Sequence, residues 1–141
     1  MSCWVCELEA PGGAIALSDN CIVDVCVGPL NLGTVIVRPR RHVERVGDLN
    51  EGEAQELGAL LQRASAVVDK LVQPSQVYVC LWSHAERRPG HIHFVVQPVT
   101  TELMQRYDTH GPMLQVAMFE AREYPPEEQL AQFAAAAREA W

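Results

Sequence analysis

Apolar residues recur every three or four positions between residues 48 and 72, which is the spacing of a helix with one apolar face. Asp48 or Asn50 can cap the start of this helix, because each side-chain oxygen accepts a hydrogen bond from a free backbone N–H group. Gln-Pro-Ser at 73–75 ends the helix, since proline does not fit a helix interior. The apolar face of this one long amphipathic helix carries Leu57, Leu60, Leu61, Ala64, Val67, Val68 and Leu71.

Shorter apolar runs on both sides of the helix predict strands. The runs at 14–17 and 21–27 flank Ser-Asp-Asn, a turn sequence, and predict a hairpin. Runs rich in β-branched and aromatic residues predict three further strands at 34–39, 77–82 and 92–97. The loop that joins the last two is too short for a parallel crossover, so these two strands should pair antiparallel.

After Pro98 the sequence is helical in three pieces, at 101–107, at about 111–122 and at 126–141. Strands on both sides of one long helix predict an α+β fold. We expect an antiparallel sheet of about five strands with one long helix and C-terminal helices, the helices packing mainly on one face. The prediction is a single domain at 1–141, with a core at about 3–98 and a helical C-terminal extension at about 99–141.

Composition supports this class and narrows the range of partners. Of the 141 residues, 48% are hydrophobic, as in globular domains. The net charge of −7 argues against binding to nucleic-acid polymers or to anionic membranes, which requires a basic surface. We see no signal peptide and no apolar run long enough to cross a bilayer, so we expect a cytoplasmic protein. The five cysteines are too sparse for a disulfide framework, which fits a reducing compartment.

The stretch GHIHFVVQP combines a buried strand with two histidines. Alternation along a strand places His91, His93, Val95 and Gln97 on one face, while the Ile, Phe and Val residues between them face the core. Two histidines at this spacing are explained either as a solvent-exposed or internally satisfied pair, or as part of a functional site. Other residues of the chain decide between these explanations.

Cys3 and Cys6 form a Cys-x-x-Cys pair, which suits a tetrahedral metal ion. The alternatives are an incidental pair or a redox motif, but a redox motif belongs at a strand-to-helix junction, and this one precedes any clear strand. His42 follows the strand at 34–39. If that strand lies near the strand at 92–97, His42 and His91 complete a Cys2His2 set with the two cysteines.

This combination resembles the histidine triad superfamily. The resemblance lies in RPRRHVERVGDL before the long helix, in the VYVCLW strand and in HIHFVVQP. The opening Cys-x-x-Cys is similar to the zinc-containing branch of the superfamily. The superfamily motif is His-φ-His-φ-His-φ-φ, where φ is apolar, and here His91 and His93 match while Val95 replaces the third histidine. The resemblance covers residues 3–98.

The resemblance implies a role for each matching residue. Cys3, Cys6, His42 and His91 would hold a structural zinc ion. His93 would attack the α-phosphate of a small-molecule nucleotide and form a covalent nucleotidyl-histidine, which water or an acceptor phosphate then releases. A neutral imidazole suits this role because it is both a nucleophile and a workable leaving group. The resemblance also implies a homodimer.

Phosphoryl transfer requires donors to the nonbridging oxygens, and Val95 cannot supply one. The residues predicted to bind substrate in its place are Gln97, Ser83, His84 and Arg88. The arginines of the loop SHAERRPG are also explained as part of a solvated loop. A solvated strand end is the favoured explanation for Arg38, Arg40 and Arg41.

Three functions are compatible with these residues. The first is a nucleotide phosphoester or phosphoramidate hydrolase, or a nucleotidyltransferase, with a structural zinc. The alternative is a nucleotide-binding module of the same fold, with weak or no catalysis because of Val95. A purely structural zinc domain has no need for His93 beside a filled metal site. Because the nucleophile position is intact, the sequence predicts the enzyme.

Overall fold

The computed structural model describes residues 2–141, which form a five-stranded sheet and four α-helices. The strands are β1 (Ala16–Leu17), β2 (Cys21–Val25), β3 (Val35–Pro39), β4 (Gln76–Cys80) and β5 (Phe94–Val99). The helices are α1 (Glu51–Val72), α2 (Thr101–Tyr107), α3 (Pro112–Ala121) and α4 (Glu127–Ala140). The predicted α+β class is confirmed, and the predicted elements are all present with small changes at their ends.

The sheet is antiparallel throughout, with the strand order β1-β2-β3-β5-β4. β5 inserts between β3 and β4, so the strand that follows the two histidines lies in the interior of the sheet. Val37 pairs with Phe94, the first residue of β5, and His91, Ile92 and His93 precede that strand. The Ile92 N–H instead donates to the carbonyl of Val43, 2.8 Å away, which ties the histidine segment to the chain after β3.

A capping box fixes the start of α1. The Asn50 side chain accepts from the Glu53 N–H, and the Glu53 carboxylate accepts from the Asn50 N–H, both at 2.9 Å. Arg41 donates two hydrogen bonds to the same carboxylate, each of 2.9 Å. Of the two predicted caps, Asn50 is therefore the one used. At the other end, Gln73 adopts a left-handed conformation and closes the helix.

Helices cover both faces of the sheet, which corrects the expectation that they pack mainly on one. α1 and α4 share a core with the sheet face that carries Val35, Val37 and Val96. On the other face Ile36, Val95 and Val99 pack against Leu114 and Met118 of α3, with α2 alongside. Alternation along β5 sends apolar side chains to both faces, and the apolar residues of α3 cover the second. No helix in the described part of the chain is both long and apolar enough to span a membrane.

Candidate metal centre and catalytic pocket

Cys3, Cys6, His42 and His91 come together at one end of the sheet. Each offers one ligand atom, and the four atoms all lie within 4.8 Å of one another. The N-terminal segment supplies the cysteines, the chain after β3 supplies His42, and the chain before β5 supplies His91. The pairing of β3 with β5 brings the last two segments side by side.

The spacing of these atoms fits a tetrahedral zinc ion. Cys6 Sγ lies 3.4 Å from His42 Nδ1 and 3.1 Å from His91 Nδ1. Zinc–sulfur and zinc–nitrogen bonds of ordinary length place sulfur and nitrogen ligands about 3.6 Å apart in a tetrahedron. Two thiols and two imidazoles are also a usual donor set for structural zinc, so the residues present fit this ion.

Hydrogen bonds orient both imidazoles for this role. His91 Nε2 donates to the carbonyl of Pro39, 3.0 Å away, so the lone pair of the neutral ring is on Nδ1, which faces Cys6. His42 Nε2 lies 3.5 Å from a carboxylate oxygen of Glu44, the outer partner often found behind a zinc-ligating histidine. Burial lowers the pKa of His91 to about 4, which keeps the ring neutral and able to bind a cation.

His93 is held in the tautomer that a nucleophile requires. Its Nδ1 donates to the carbonyl of His91 at 3.1 Å, so Nε2 carries the lone pair. The ring is half-buried, and burial lowers its pKa, with the charge of Arg38 acting in the same direction. A neutral imidazole with one free nitrogen therefore lines the pocket beside the metal centre.

This pocket has a volume of about 350 Å³ and lies on the sheet face opposite α1. Its walls are mostly apolar, and burial raises the pKa of the one thiol among them, that of Cys26, to about 11. Val95, which the sequence resemblance aligns with the third histidine of the motif, lines the pocket and adds apolar surface there. The aromatic walls are Trp4, Trp82 and Phe119, with Leu30, Ile36 and Val95 as aliphatic neighbours.

Gln97 does not lie where the sequence suggested. It has no exposed surface and is a link in a buried chain of amides. The Trp82 indole N–H donates to Gln115, Gln115 donates to Gln97, and Gln97 donates to Asn31, at 2.8, 2.9 and 2.9 Å. α3 covers the part of the sheet face at Gln97, so this side chain makes structural contacts and not the predicted contact with a ligand.

The other predicted substrate contacts lie in the loop between β4 and β5. Arg87 and Arg88 line a second cleft of about 480 Å³, which is also lined by the candidate ligands Cys3, His42 and His91. His84 is exposed, and its Nδ1 lies 2.9 Å from the carbonyl of Ala85. Trp4 borders both cavities, so the arginine cleft and the His93 pocket are neighbours.

Ser83 has an unusual environment. Among the described residues, its Oγ is the one buried side-chain oxygen or nitrogen without a hydrogen-bond partner. The neighbouring Trp82 lines the His93 pocket, and so does Pro89, whose carbonyl accepts from the His84 N–H. A buried hydroxyl without a partner is a free donor, so Ser83 remains a candidate for contact with a ligand.

Arg38 and Phe119 lie in places that the sequence does not predict. Arg38 was predicted at a solvated strand end, but it is 3% exposed and donates through Nε to Asp24 at 3.0 Å. The alternation of β3 is the signal that points to this, since Arg38 shares a face with Ile36. No local sequence pattern indicates that Phe119 lines the pocket, because α3 reaches the pocket only through tertiary packing.

No protein-family model and no curated protein matches the sequence. Among solved structures, a hypothetical histidine triad nucleotide-binding protein from Sulfolobus tokodaii is similar, with 17% identity and a TM-score of 0.73 over 98% of this chain and 91% of that one. A zinc-bound histidine triad family protein from Mycobacterium smegmatis is 20% identical, with a TM-score of 0.68 over 99% and 94% of the two chains.

A more distant similarity extends to an enzyme. The diadenosine triphosphate hydrolase of Plasmodium falciparum is 12% identical, with a TM-score of 0.67 over 89% of this chain and 74% of that one. At these identities the agreement is one of backbone arrangement, and it includes the C-terminal helices of this chain. The resemblance found in the sequence is confirmed at that level, and the chain has the histidine triad fold.

Proposed function

We propose that this protein is a nucleotide hydrolase or nucleotidyltransferase that acts through a covalent nucleotidyl-histidine on His93. The observation that carries the proposal is the hydrogen bond from His93 Nδ1 to the His91 carbonyl. It leaves Nε2 as the free nitrogen of a neutral ring in a pocket of nucleoside size. The fold shared with a nucleotide-binding protein and with a diadenosine triphosphate hydrolase supports the same ligand class.

In the first step, Nε2 of His93 forms a bond to the α-phosphorus, and the bond between phosphorus and the leaving group breaks. The leaving group departs with the electron pair of that bond and takes up a proton from water. The imidazole becomes a cation that keeps its proton on Nδ1, and the His91 carbonyl stabilises this positive charge. In the second step, water or an acceptor phosphate attacks phosphorus, and the phosphorus–nitrogen bond breaks with its electron pair returning to Nε2 of neutral His93. When water is the acceptor, it loses one proton to the solvent.

Cys3, Cys6, His42 and His91 would hold a zinc ion with four protein ligands, which is the arrangement of a structural site. The ion would supply rigidity, since it would tie the N-terminal segment to the chain after β3 and to the chain before β5. His91 connects the two sites, because its ring belongs to the metal cluster while its carbonyl holds His93. The direction in which His93 Nε2 points therefore depends on the position of His91.

The alternative is a nucleotide-binding module with slow or no turnover. Val95 favours it, because this residue is 5% exposed, lines the pocket and donates no hydrogen bond to a phosphoryl oxygen. Ser83 and Arg88 are the proposed donors that would keep the enzyme active. His84, on the same loop, is exposed and lines neither cavity.

The two functions are separated by turnover of the zinc-loaded protein with adenylated and guanylated phosphoramidates and dinucleoside polyphosphates. We expect hydrolysis by the wild type, and a loss of at least about 100-fold in His93→Ala, since the covalent route would be removed. His110→Ala is the matched control, because His110 is exposed and lies outside both cavities. Turnover that persists in His93→Ala overturns the proposal. Nucleotide binding without turnover in the wild type favours the binding module.

Two further expectations stay predictions. The homodimer implied by the resemblance is tested by sedimentation equilibrium of the full chain. A cytoplasmic location is tested by fractionation of cells that express it. The five free thiols, two of which are proposed zinc ligands, suit a reducing compartment.

A further inference from the structure

Two arginines of the cleft beside the metal centre keep their charges free. Arg87 and Arg88 are both exposed and line this arginine cleft, which has a volume of about 480 Å³. Within residues 2–141, neither guanidinium takes part in a hydrogen bond or a salt bridge, whereas Arg38, Arg41 and Arg106 are each paired with a carboxylate. Two adjacent unpaired cations in a cleft of a protein with net charge −7 indicate a site for an anion.

Backbone contacts hold the loop that carries these arginines against the metal centre. The His84 N–H donates to the Pro89 carbonyl, and the Arg87 N–H donates to the His84 carbonyl, both at 3.0 Å. The buried Gly90 allows a close approach, because a Cβ atom there would lie 2.9 Å from a carboxylate oxygen of Glu44 and 3.0 Å from the Arg87 carbonyl. The loop is therefore closed on itself and packed on the segment after β3, which keeps both arginines at the cleft.

The His93 pocket and the arginine cleft adjoin but differ in charge. In the described part of the chain, no lysine or arginine lines the His93 pocket. A phosphate group beyond the α-phosphorus would lose its hydration in that apolar cavity without gaining a partner. Pro89 lines the pocket, Gly90 and His91 line the cleft, and Trp4 lines both. A charged group attached to the α-phosphorus can therefore extend from the pocket into the cleft.

The arginines are the source of positive charge in this cleft. A zinc ion held by two thiolates and two neutral imidazoles carries no net charge. Two carboxylates also line the cleft: Glu44, which faces His42 at 3.5 Å, and the exposed Glu86. A carboxylate accepts hydrogen bonds from hydroxyl groups and repels a phosphate placed beside it. The cleft thus suits one phosphate group at the arginines, with uncharged hydroxyl groups towards Glu86.

We propose that Arg87 and Arg88 form a subsite for the leaving group, so that the protein acts on nucleotides whose leaving group carries a phosphate in preference to those whose leaving group is uncharged. This inference rests on the proposed function, since it places the α-phosphorus at His93. A planar guanidinium suits the subsite because it donates two parallel hydrogen bonds to a phosphate. The leaving group departs with the electron pair of its bond to phosphorus, and the two cations stabilise the charge that it gains.

The first test compares the binding of AMP and ADP, which differ by one phosphate group, by calorimetry on His93→Ala. We expect ADP to bind about 10- to 100-fold more tightly than AMP, as charge-assisted hydrogen bonds predict. Adding Arg87→Met or Arg88→Met should weaken ADP by about tenfold and AMP by less than about threefold. Adding Glu86→Gln should tighten ADP by about two- to threefold, because a like charge is removed. Arg122→Met is the matched control, since Arg122 is exposed and lines neither cavity.

The second test measures kcat/KM for diadenosine triphosphate, with a charged leaving group, and for the 4-nitrophenyl ester of AMP, with an uncharged one. The ratio of variant to wild type for each substrate cancels the intrinsic reactivity of the leaving groups. Arg87→Met should lower the value for diadenosine triphosphate by about tenfold and that for the ester by less than about threefold. Arg87→Lys should fall between wild type and Arg87→Met, because it keeps the charge and loses the paired hydrogen bonds.

Two kinds of result would overturn the subsite. One is an equal effect of the arginine variants on AMP and ADP, or no effect on ADP, which is the behaviour of a solvated loop. The other is an equal loss of kcat/KM for the two substrates. A failure of the catalytic proposal has a different signature: turnover retained in His93→Ala refutes the nucleophile and leaves the comparison of AMP with ADP valid, because binding does not require the covalent step.

Discussion

Replacement of His42 by alanine should remove the stabilisation that zinc gives to the folded protein. His42 supplies one of the four ligand atoms, with Nδ1 3.4 Å from Cys6 Sγ. Its side chain is 47% exposed, so its truncation removes little packing. In the absence of metal the variant should therefore match the wild type within about 0.5 kcal/mol, as surface substitutions usually do. Any larger difference with zinc present then reports the ion and not the fold.

The size of the effect follows from linkage between binding and folding. Free zinc at about 1,000 times the dissociation constant stabilises the native state by about 4 kcal/mol. For a chain of 141 residues this corresponds to a rise in Tm of roughly 10–20 °C. Glu44→Gln keeps all four proposed ligands and removes the charge behind His42. It should therefore weaken the affinity for zinc by about 10- to 100-fold, a loss of roughly 1.4–2.8 kcal/mol in binding free energy.

The assay is thermal unfolding under reducing conditions, with free zinc set by a metal buffer and bound zinc counted by mass spectrometry. We expect the order wild type, Glu44→Gln, His42→Ala in the zinc-dependent rise of Tm. His110→Ala, a second exposed histidine, should behave as the wild type. A rise in His42→Ala equal to that of the wild type, or no rise in any of the proteins, would refute the four-ligand site.

Three other predictions concern the scaffold. Asn50→Ala removes the cap of α1 and should lower the free energy of unfolding in urea by about 1 kcal/mol. Arg41 and the capping bond lower the pKa of Glu53 in the folded state. The contribution of Glu53 to the free energy of unfolding is therefore complete above its unfolded pKa of about 4.3 and is lost as the pH falls through the lower folded pKa. The stability difference between wild type and Glu53→Gln should therefore shrink from pH 7 to pH 3 in urea titrations; a constant difference would contradict this. Leu114→Ala, at a side chain with no exposed surface, should cost about 2–5 kcal/mol in the same titrations, whereas Met113→Ala, at 61% exposure, should cost under about 0.5 kcal/mol.

Most of the secondary structure was predictable because it depends on local periodicity. The apolar spacing of α1, its Asn50 cap and the β-branched runs of β3 and β5 are properties of short stretches of chain. The grouping of Cys3, Cys6, His42 and His91 was predicted on the condition that the strands before His42 and after His91 lie close together, and the pairing of β3 with β5 meets that condition. The hydrogen bond from His93 Nδ1 to the His91 carbonyl is something that only the structure shows.

Tertiary structure decided what covers each face of the sheet. Alternation placed His93, Val95 and Gln97 on one face, but α3 covers the part of that face at Gln97 and leaves the part at His93 open. The contact between Gln97 and Gln115 joins residues 18 positions apart, and that between Cys6 and His91 spans 85. Such contacts depend on how whole elements pack, so no local pattern contains them. The sequence by itself determined the strands, the long helix and the candidate ligands. The packing of α3 decided which polar side chains make buried structural contacts and which remain accessible at the candidate site.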